Sequence, residues 1–98
     1  MLEIRQTDAF AEWLAGLTDA RSKAKVLSRI ERLADGNPGD VEPVGDGVSE
    51  MRVHHGPGYR VYFQQRGRDL VLLLAGGDKS SQKRDIVKAK KLAREYED

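Results

Sequence analysis

Three runs of strand-like residues follow one another between Val48 and Lys79, and the rest of the chain is arranged to serve them. In the first, Met51 and Val53 alternate with Arg52 and His54; in the second, Tyr59, Val61 and Phe63 alternate with Arg60 and Tyr62. The third, Leu70 to Ala75, is apolar at every position, as a strand covered on both faces should be. Turn signals separate the runs at Gly56-Pro57-Gly58 and at Gly67-Arg68. Read as a three-residue loop, the first sets His55 opposite Tyr59, His54 opposite Arg60 and Arg52 opposite Tyr62. Read as a two-residue turn, the second sets Phe63 opposite Leu72 and Arg60 opposite Ala75. The first pairing gathers the apolar residues on one face and the Arg/His/Tyr set on the other, whereas a slip of one residue would mix them. The sheet is therefore expected to have a greasy side and a cationic side.

Before this meander, Leu2-Glu3-Ile4-Arg5 alternates and predicts a short strand that edges or joins the sheet. Thr7 or Asp8 is placed to cap a first helix, whose apolar face is Phe10, Trp13, Leu14 and Leu17. Gly16 and Thr18-Asp19 end it and start a second, from about Ala20 to Ala34. Its inward stripe reads Ala24, Leu27, Ile30 and Ala34, with Val26 and Leu33 beside them. Two helices joined this closely form a hairpin whose apolar stripes need a sheet to cover, and the greasy side of the meander supplies one. Asp35 to Gly47 is rich in Gly, Pro and Asp and reads as a loop across the fold. After Gly76-Gly77, Asp78 or Ser80 can cap a last helix from about Ser81 to Tyr96, with Ile86, Val87, Ala89, Ala93 and Leu92 apolar. The expectation is one α+β domain over residues 1–98: an N-terminal strand and helical hairpin packed on an antiparallel sheet, then a C-terminal helix.

Composition narrows the chemistry. The chain lacks cysteine, so disulfides, thiolate metal sites and a Cys nucleophile are excluded. The N-terminus shows no basic segment followed by an apolar core, and no apolar run approaches the ~18 residues of a membrane span, so a cytoplasmic location is expected. Net charge is only +1, yet residues 1–49 carry six Lys/Arg against nine Asp/Glu while residues 50–98 carry eleven against seven. Between Lys79 and Arg94, seven basic residues (Lys83 and Arg84 among them) face Asp85 alone. A half so basic fits a polyanionic partner, although Lys88, Lys90, Lys91 and Arg94 also suit a merely solvated helix face.

Motifs for other chemistries are lacking. Adjacent His54 and His55 cannot point the same way on a strand, there is no HExxH and no nucleophile elbow, and Gly76-Gly77 lacks the spacing of a phosphate-cradling loop. No metal or cofactor is called for. What remains is a set of donors, Arg52, His54, Arg60 and Tyr62 on two paired strands, with Lys79 and Lys83 where the third strand gives way to the helix. Fixed cations around one hollow hold a phosphate and stabilise the charge that grows on it during transfer. RNA brings its own nucleophile, the 2′-hydroxyl, so such a site could cleave RNA by positioning the phosphodiester and moving protons. The proton carrier would be His54, whose imidazole titrates in the useful range, or a tyrosine or lysine tuned by its neighbours. Arg60, mid-strand on the polar face, is expected to tolerate truncation with a stability change within roughly ±0.5 kcal/mol.

The order strand–helix–helix–meander–helix resembles the RelE/ParE toxin superfamily, and within it the HigB-like addiction module killer proteins. The likeness spans essentially the whole chain. Its most specific parts are E-x-R-x-x-x-x-P-G-Y-R-V-Y-F from Glu50 to Phe63 and G-D-K-x-x-Q-x-x-D-I from Gly77 to Ile86. The resemblance implies the toxin of a type II toxin–antitoxin system, an endoribonuclease (mRNA interferase) that cleaves mRNA at the ribosome without a metal. Its partners would be mRNA, the ribosome and an antitoxin of helix-turn-helix type, with operator DNA reached only through that antitoxin and no membrane involved. Residue by residue, Arg52, Arg60 and Lys79 match the family's basic positions. His54 resembles a histidine some HigB toxins use, though without the acid–Tyr–His cluster found there. Tyr96 is the sole match to a C-terminal aromatic, and Tyr62, Lys83 and Arg84 would contact RNA. A ParE-like gyrase poison and a degenerate, regulatory subunit are the alternatives.

Overall fold

The computed structural model describes residues 1–97. Thr7 shows how the chain begins to fold. Its hydroxyl accepts the free Phe10 amide at 3.0 Å, capping α1 (Asp8–Ala15), and donates to the Leu74 carbonyl at 2.6 Å, tying that cap to the sheet. Just ahead of it, β1 (Glu3–Gln6) lies parallel to β5 (Leu70–Asp78) as one edge of the sheet. Asp19 caps α2 (Ala20–Ala34) through the Arg21 amide and the Ser22 hydroxyl. Next come β2 (Val41–Gly45), β3 (Val48–Val53), β4 (Tyr59–Arg66) and β5. A 3₁₀ turn (Lys79–Ser81) then leads into α3 (Gln82–Glu95).

The sheet order is β1-β5-β4-β3-β2, antiparallel except at β1. The α+β expectation holds, with Arg60 and Phe63 on opposite faces as the alternation requires. Met51, Val53, Val61, Phe63, Val71 and Leu73 pack against Phe10, Val26 and Leu33 from the helical hairpin. Two details of the helices differ from the reading of the sequence. Leu27 is 42% exposed and Ala24 is also outside, because the inward stripe of α2 runs through Ser22, Val26, Ile30 and Leu33. On α3, Val87 is 69% exposed, and Asp85 and Ala89 take the buried positions instead.

Asp35 to Gly47 is not all loop. Val41 to Gly45 pairs with β3 as the far edge strand, with Pro43 opposite Ser49. Proline is compatible with an edge because its missing donor faces away from the ladder, so a Pro/Gly-rich composition hid a strand. Both turn readings also needed correction. The β3–β4 connection is five residues, His54–Gly58, so Arg52 faces Arg60 and Glu50 faces Tyr62. That is a shift of two from the expected register, which leaves the faces unchanged. The β4–β5 turn has three residues, Gly67–Asp69, and a bulge between Tyr62 and Phe63 brings Arg60 opposite Gly77. Leu74 is the residue left over at the bulge, and both it and Ala75 lie in the core under α3. Thr7 satisfies the Leu74 carbonyl at that irregular point.

The second face of the sheet is not the open cationic surface its alternation implied. α3 covers most of it, sealing Val48, Tyr62, Leu72, Leu74 and Ala75 against Ala89, with Ile86, Leu92, Ala93 and Tyr96 around them. Arg52 and Arg60, at one end of that face, lie outside this cluster. No helix among the described residues is long and apolar enough to cross a membrane.

Candidate functional site

At that end of the face lies a cleft of ≈490 Å³, lined by Arg52, Val53, His54, His55, Gly56, Pro57, Gly58, Arg60 and Lys79. Arg52 comes from the end of β3, Arg60 from the start of β4, Lys79 from the turn after β5, and the two histidines from the loop between β3 and β4. Because that loop starts at His54, strand alternation does not separate His54 from His55, and both border the same hollow. Gly58 brings the elements close. Its φ is +81°, and a Cβ there would lie 3.4 Å from Arg60 Nη1 and 3.9 Å from Lys79.

Beneath the cleft, Glu50 is 1% exposed and organises the arginines. Its Oε1 lies 3.3 Å from Arg52 Nε and 3.7 Å from Arg60 Nε, and its Oε2 accepts from Gln82 Nε2 at 2.7 Å. A carboxylate so deeply buried is sustained only by partners of this kind. Gln82 belongs to the second of the two distinctive sequence blocks and Glu50 to the first, so this hydrogen bond clasps the blocks together. The rest of the second block follows the same logic. A Cβ on Gly77 would meet Asp85 Oδ2 at 1.9 Å, so only glycine lets Asp85 pack there, where it accepts from Ser81. Asp78 caps the 3₁₀ turn through the Ser80 amide at 2.8 Å, and the Ser80 hydroxyl holds its carboxyl below the usual range.

The cleft is balanced in charge rather than cationic. Arg52 donates Nη1 to Asp40 at 3.3 Å and Nη2 to Glu42, besides its bond to Glu50. Its guanidinium is thereby held more basic than usual, chiefly through Glu42. Two of the cleft's three cations, Arg52 and Arg60, thus meet three carboxylates, Asp40, Glu42 and Glu50. Arg52 has every nitrogen engaged and serves as a tie between β2 and β3, whereas Lys79 is exposed and forms no ion pair among the described residues. Arg60 donates Nη1 to the Gly58 carbonyl at 3.1 Å, and its Nε has no hydrogen-bond partner. As the residue is buried, with Glu50 beside it, the expectation that truncation would be nearly silent for stability needs revision.

Other residues singled out from the sequence lie elsewhere. Tyr62 is fully buried under α3, with its hydroxyl near Glu50 and Asp85 yet short of hydrogen-bonding alignment. Burial, reinforced by those two charges, pushes its phenol well above the ordinary value. Tyr62 cannot reach RNA in the cleft, because the bulky face it occupies is covered. Tyr96 stands at the opposite end of the sheet, its ring 5.5 Å from the Arg66 guanidinium. The run from Arg60 to Arg66 along β4 separates it from the cleft by about 20 Å. The structure therefore does not bring Tyr96 into the site. Lys83 and Arg84 are exposed and line a neighbouring hollow of ≈380 Å³ that shares Lys79 with the cleft.

Sequence reasoning passed over Asp40, Glu42, Gln82 and Arg29. Glu50 joins the arginine face because it stands two residues before Arg52 along β3, but Asp40, a carboxylate 14 residues from its histidine, gives no local signal. Arg29, on α2, sends Nη1 to the Arg52 carbonyl and Nη2 to the Pro38 carbonyl at 2.8 Å. Burial lowers its basicity, and Arg32 adds to the effect.

Comparison with known proteins places the chain among relatives. The family model described as "Phage derived protein Gp49-like (DUF891)" matches residues 12–97. An uncharacterized protein of Haemophilus influenzae (strain ATCC 51907 / DSM 11121 / KW20 / Rd) is 49% identical over 94 residues, which is 96% of this chain and 95% of the relative. With a match running from α1 through α3, the chain belongs to the phage-derived Gp49-like family, a toxin-like family of toxin–antitoxin systems.

Proposed function

We propose that the protein is the toxin of a type II toxin–antitoxin pair, a RelE/HigB-like endoribonuclease that cleaves mRNA, at the ribosome, without a metal ion. The observation that carries this reading is the convergence of Arg52, His54, Arg60 and Lys79 on one cleft from β3, the β3–β4 loop, β4 and the turn after β5. Arg60 and Lys79 hold the scissile phosphate and stabilise its extra charge, supplying the electrostatic help that a metal gives elsewhere. Arg52 keeps β2 and Glu50 in place beneath them. His54 accepts the 2′-hydroxyl proton as the 2′-oxygen bonds to phosphorus. The P–O5′ bond breaks, and the departing oxygen takes a proton from solvent, leaving a 2′,3′-cyclic phosphate and a 5′-hydroxyl. Lys83 and Arg84, beside Lys79, guide the flanking backbone. The antitoxin, a DNA-binding protein that carries the pair to its operator, covers the cleft.

Lys79→Ala is the direct test, since an exposed, unpaired lysine is removed without disturbing the core. In a translating extract the wild-type protein should cut mRNA to 5′-hydroxyl ends, and Lys79→Ala should lose about 10²–10³ in rate, as for removal of one preorganised donor. Undiminished cleavage by the variant would reject the site. A second reading, a ParE-like protein-binding poison or a purely regulatory subunit, draws support from the balanced charge of the cleft and the saturation of Arg52. Double-strand DNA breaks on induction with intact mRNA would favour the poison, and neither effect would favour the regulator.

A further inference from the structure

The sequence gives His54 no acidic companion, yet the fold supplies one. Asp40 Oδ2 lies 2.6 Å from His54 Nε2, and its Oδ1 lies 3.3 Å from Arg52 Nη1. The backbone that carries this carboxylate is held by several independent bonds. The Asp40 carbonyl accepts the Arg52 amide at 2.9 Å, and Arg29 reaches from α2 to the Pro38 and Arg52 carbonyls on either side. Gly39 between them has φ +71°, and a Cβ there would stand 2.8 Å from Arg29 Nη2. A backbone fixed from α2 and β3 together presents one acid to one imidazole.

We propose, resting on the endoribonuclease reading, that Asp40 is the positioning residue of the cleft: it accepts Nε2–H of His54 and leaves Nδ1 as the nitrogen that takes the 2′-hydroxyl proton. The tautomer follows from what each group can do. An ionised carboxylate only accepts, so the imidazole nitrogen facing it must carry the hydrogen. Asp40 is held below the ordinary carboxyl range, first by the bond from His54 and then by Arg52, so it is ionised at neutral pH. Once Nδ1 has gained the proton, the imidazolium sits against the same carboxylate, which stabilises it until solvent removes the proton. His54 is 73% exposed, so without Asp40 nothing else among its described partners would hold the ring in one orientation. Asp40 thereby couples two site residues, steadying Arg52 with one oxygen and His54 with the other.

The experiment is steady-state cleavage by the full chain, paired with binding to a substrate RNA whose attacking 2′-hydroxyl is replaced by hydrogen. Asp40→Asn is expected to lower kcat by about tenfold or more, a share of the ~10²–10⁴ that a positioned general base contributes. Affinity for the deoxy-substituted RNA should stay within about threefold, because the acceptor acts on the proton-transfer step. Asp40→Glu, which keeps the charge on a longer stem, should fall between the two. In a His54→Ala background, Asp40→Asn should cost nothing further, since the group it positions is gone. Unchanged kcat in Asp40→Asn would overturn the proposal, as would an equal loss in the His54→Ala background. A rise in activity would overturn it too, showing that Asp40 instead screens Arg52 from RNA. If Asp40→Asn does not fold, Asp40→Glu in both backgrounds gives the same decision. A wild-type protein that never cleaves RNA refutes the parent reading, whereas an active wild type with an indifferent Asp40 refutes this inference alone.

Discussion

At the level of single residues, the decisive group is the buried carboxylate of Glu50. Arg52 of β3 and Gln82 of α3 donate to it and the Arg60 guanidinium of β4 pairs with it at 3.7 Å, so the arginines are set from below before any ligand arrives. This changes what Arg60→Ala should do. Removing Arg60 leaves a buried acid short of one cation, and the expected cost is about 1–3 kcal/mol in urea unfolding. Adding Glu50→Gln should recover part of that loss, because the charge that lacked compensation is gone. Strictly additive effects of the two substitutions would show that they do not interact. That Arg52 and Arg60 share one face of the sheet was legible from alternation, but their standing opposite each other was not, since the loop was read as three residues instead of five. Two features were beyond reach, namely that α3 would bury Tyr62 and that Arg66 would hold Tyr96 at the far end. Both depend on where a helix lands on a sheet, which hydrophobic period alone leaves undetermined.

At the level of elements, the caps and periods read well and the pairings less so. Thr7 and Asp19 begin their helices where residue chemistry indicates, and α2 has the bounds its flanking signals predict, whereas Asp78 caps the 3₁₀ turn and α3 itself starts after Ser81 without a side-chain cap. β2 was hidden because Pro43 and its glycines resemble a loop until an edge position makes them acceptable. The β4–β5 register was hidden by the bulge at Leu74, which local sequence does not announce. The bulge gives Thr7 a second role that can be measured. Thr7→Val keeps the shape but removes both the cap on Phe10 and the donor to the Leu74 carbonyl. The expected loss is about 1–3 kcal/mol, combining a missing N-cap with a buried carbonyl left unsatisfied. Thr7→Ser, which retains both bonds, should recover most of it. A urea midpoint for Thr7→Val equal to that of the wild type would show that neither bond matters.

At the level of the whole molecule, the two ends of the sheet are secured by different chemistry. The far end relies in part on Arg66, whose guanidinium donates to the Ala93 carbonyl and, at 2.8 Å, to the Tyr96 carbonyl. Carbonyl acceptors do not titrate. The site end relies on carboxylates: Asp19 at the start of α2, Asp40 between β2 and the histidine, and Asp78 at the turn into α3. All three are held below the ordinary value of 3.8, led respectively by hydrogen bonds from Ser22, His54 and Ser80. A carboxylate whose folded value is depressed contributes stability above its unfolded value, and that contribution is lost as pH falls through the folded value. Stability from these three should therefore be fully present at neutrality and drain away below about pH 4. The loss should be regional, because Asp19 and Asp78 line a groove of ≈540 Å³ that meets the cleft at Pro57. Amide exchange followed from pH 6 to pH 2, corrected for intrinsic rates, should show residues 20–23, 38–42 and 79–82 losing protection first. Strands β4 and β5, packed between two apolar layers, should hold longer. Uniform loss across the chain would mean that the cleft end is not a separate unit of stability. Regional loss would mean that the acids organising the cleft also set the pH below which it comes apart.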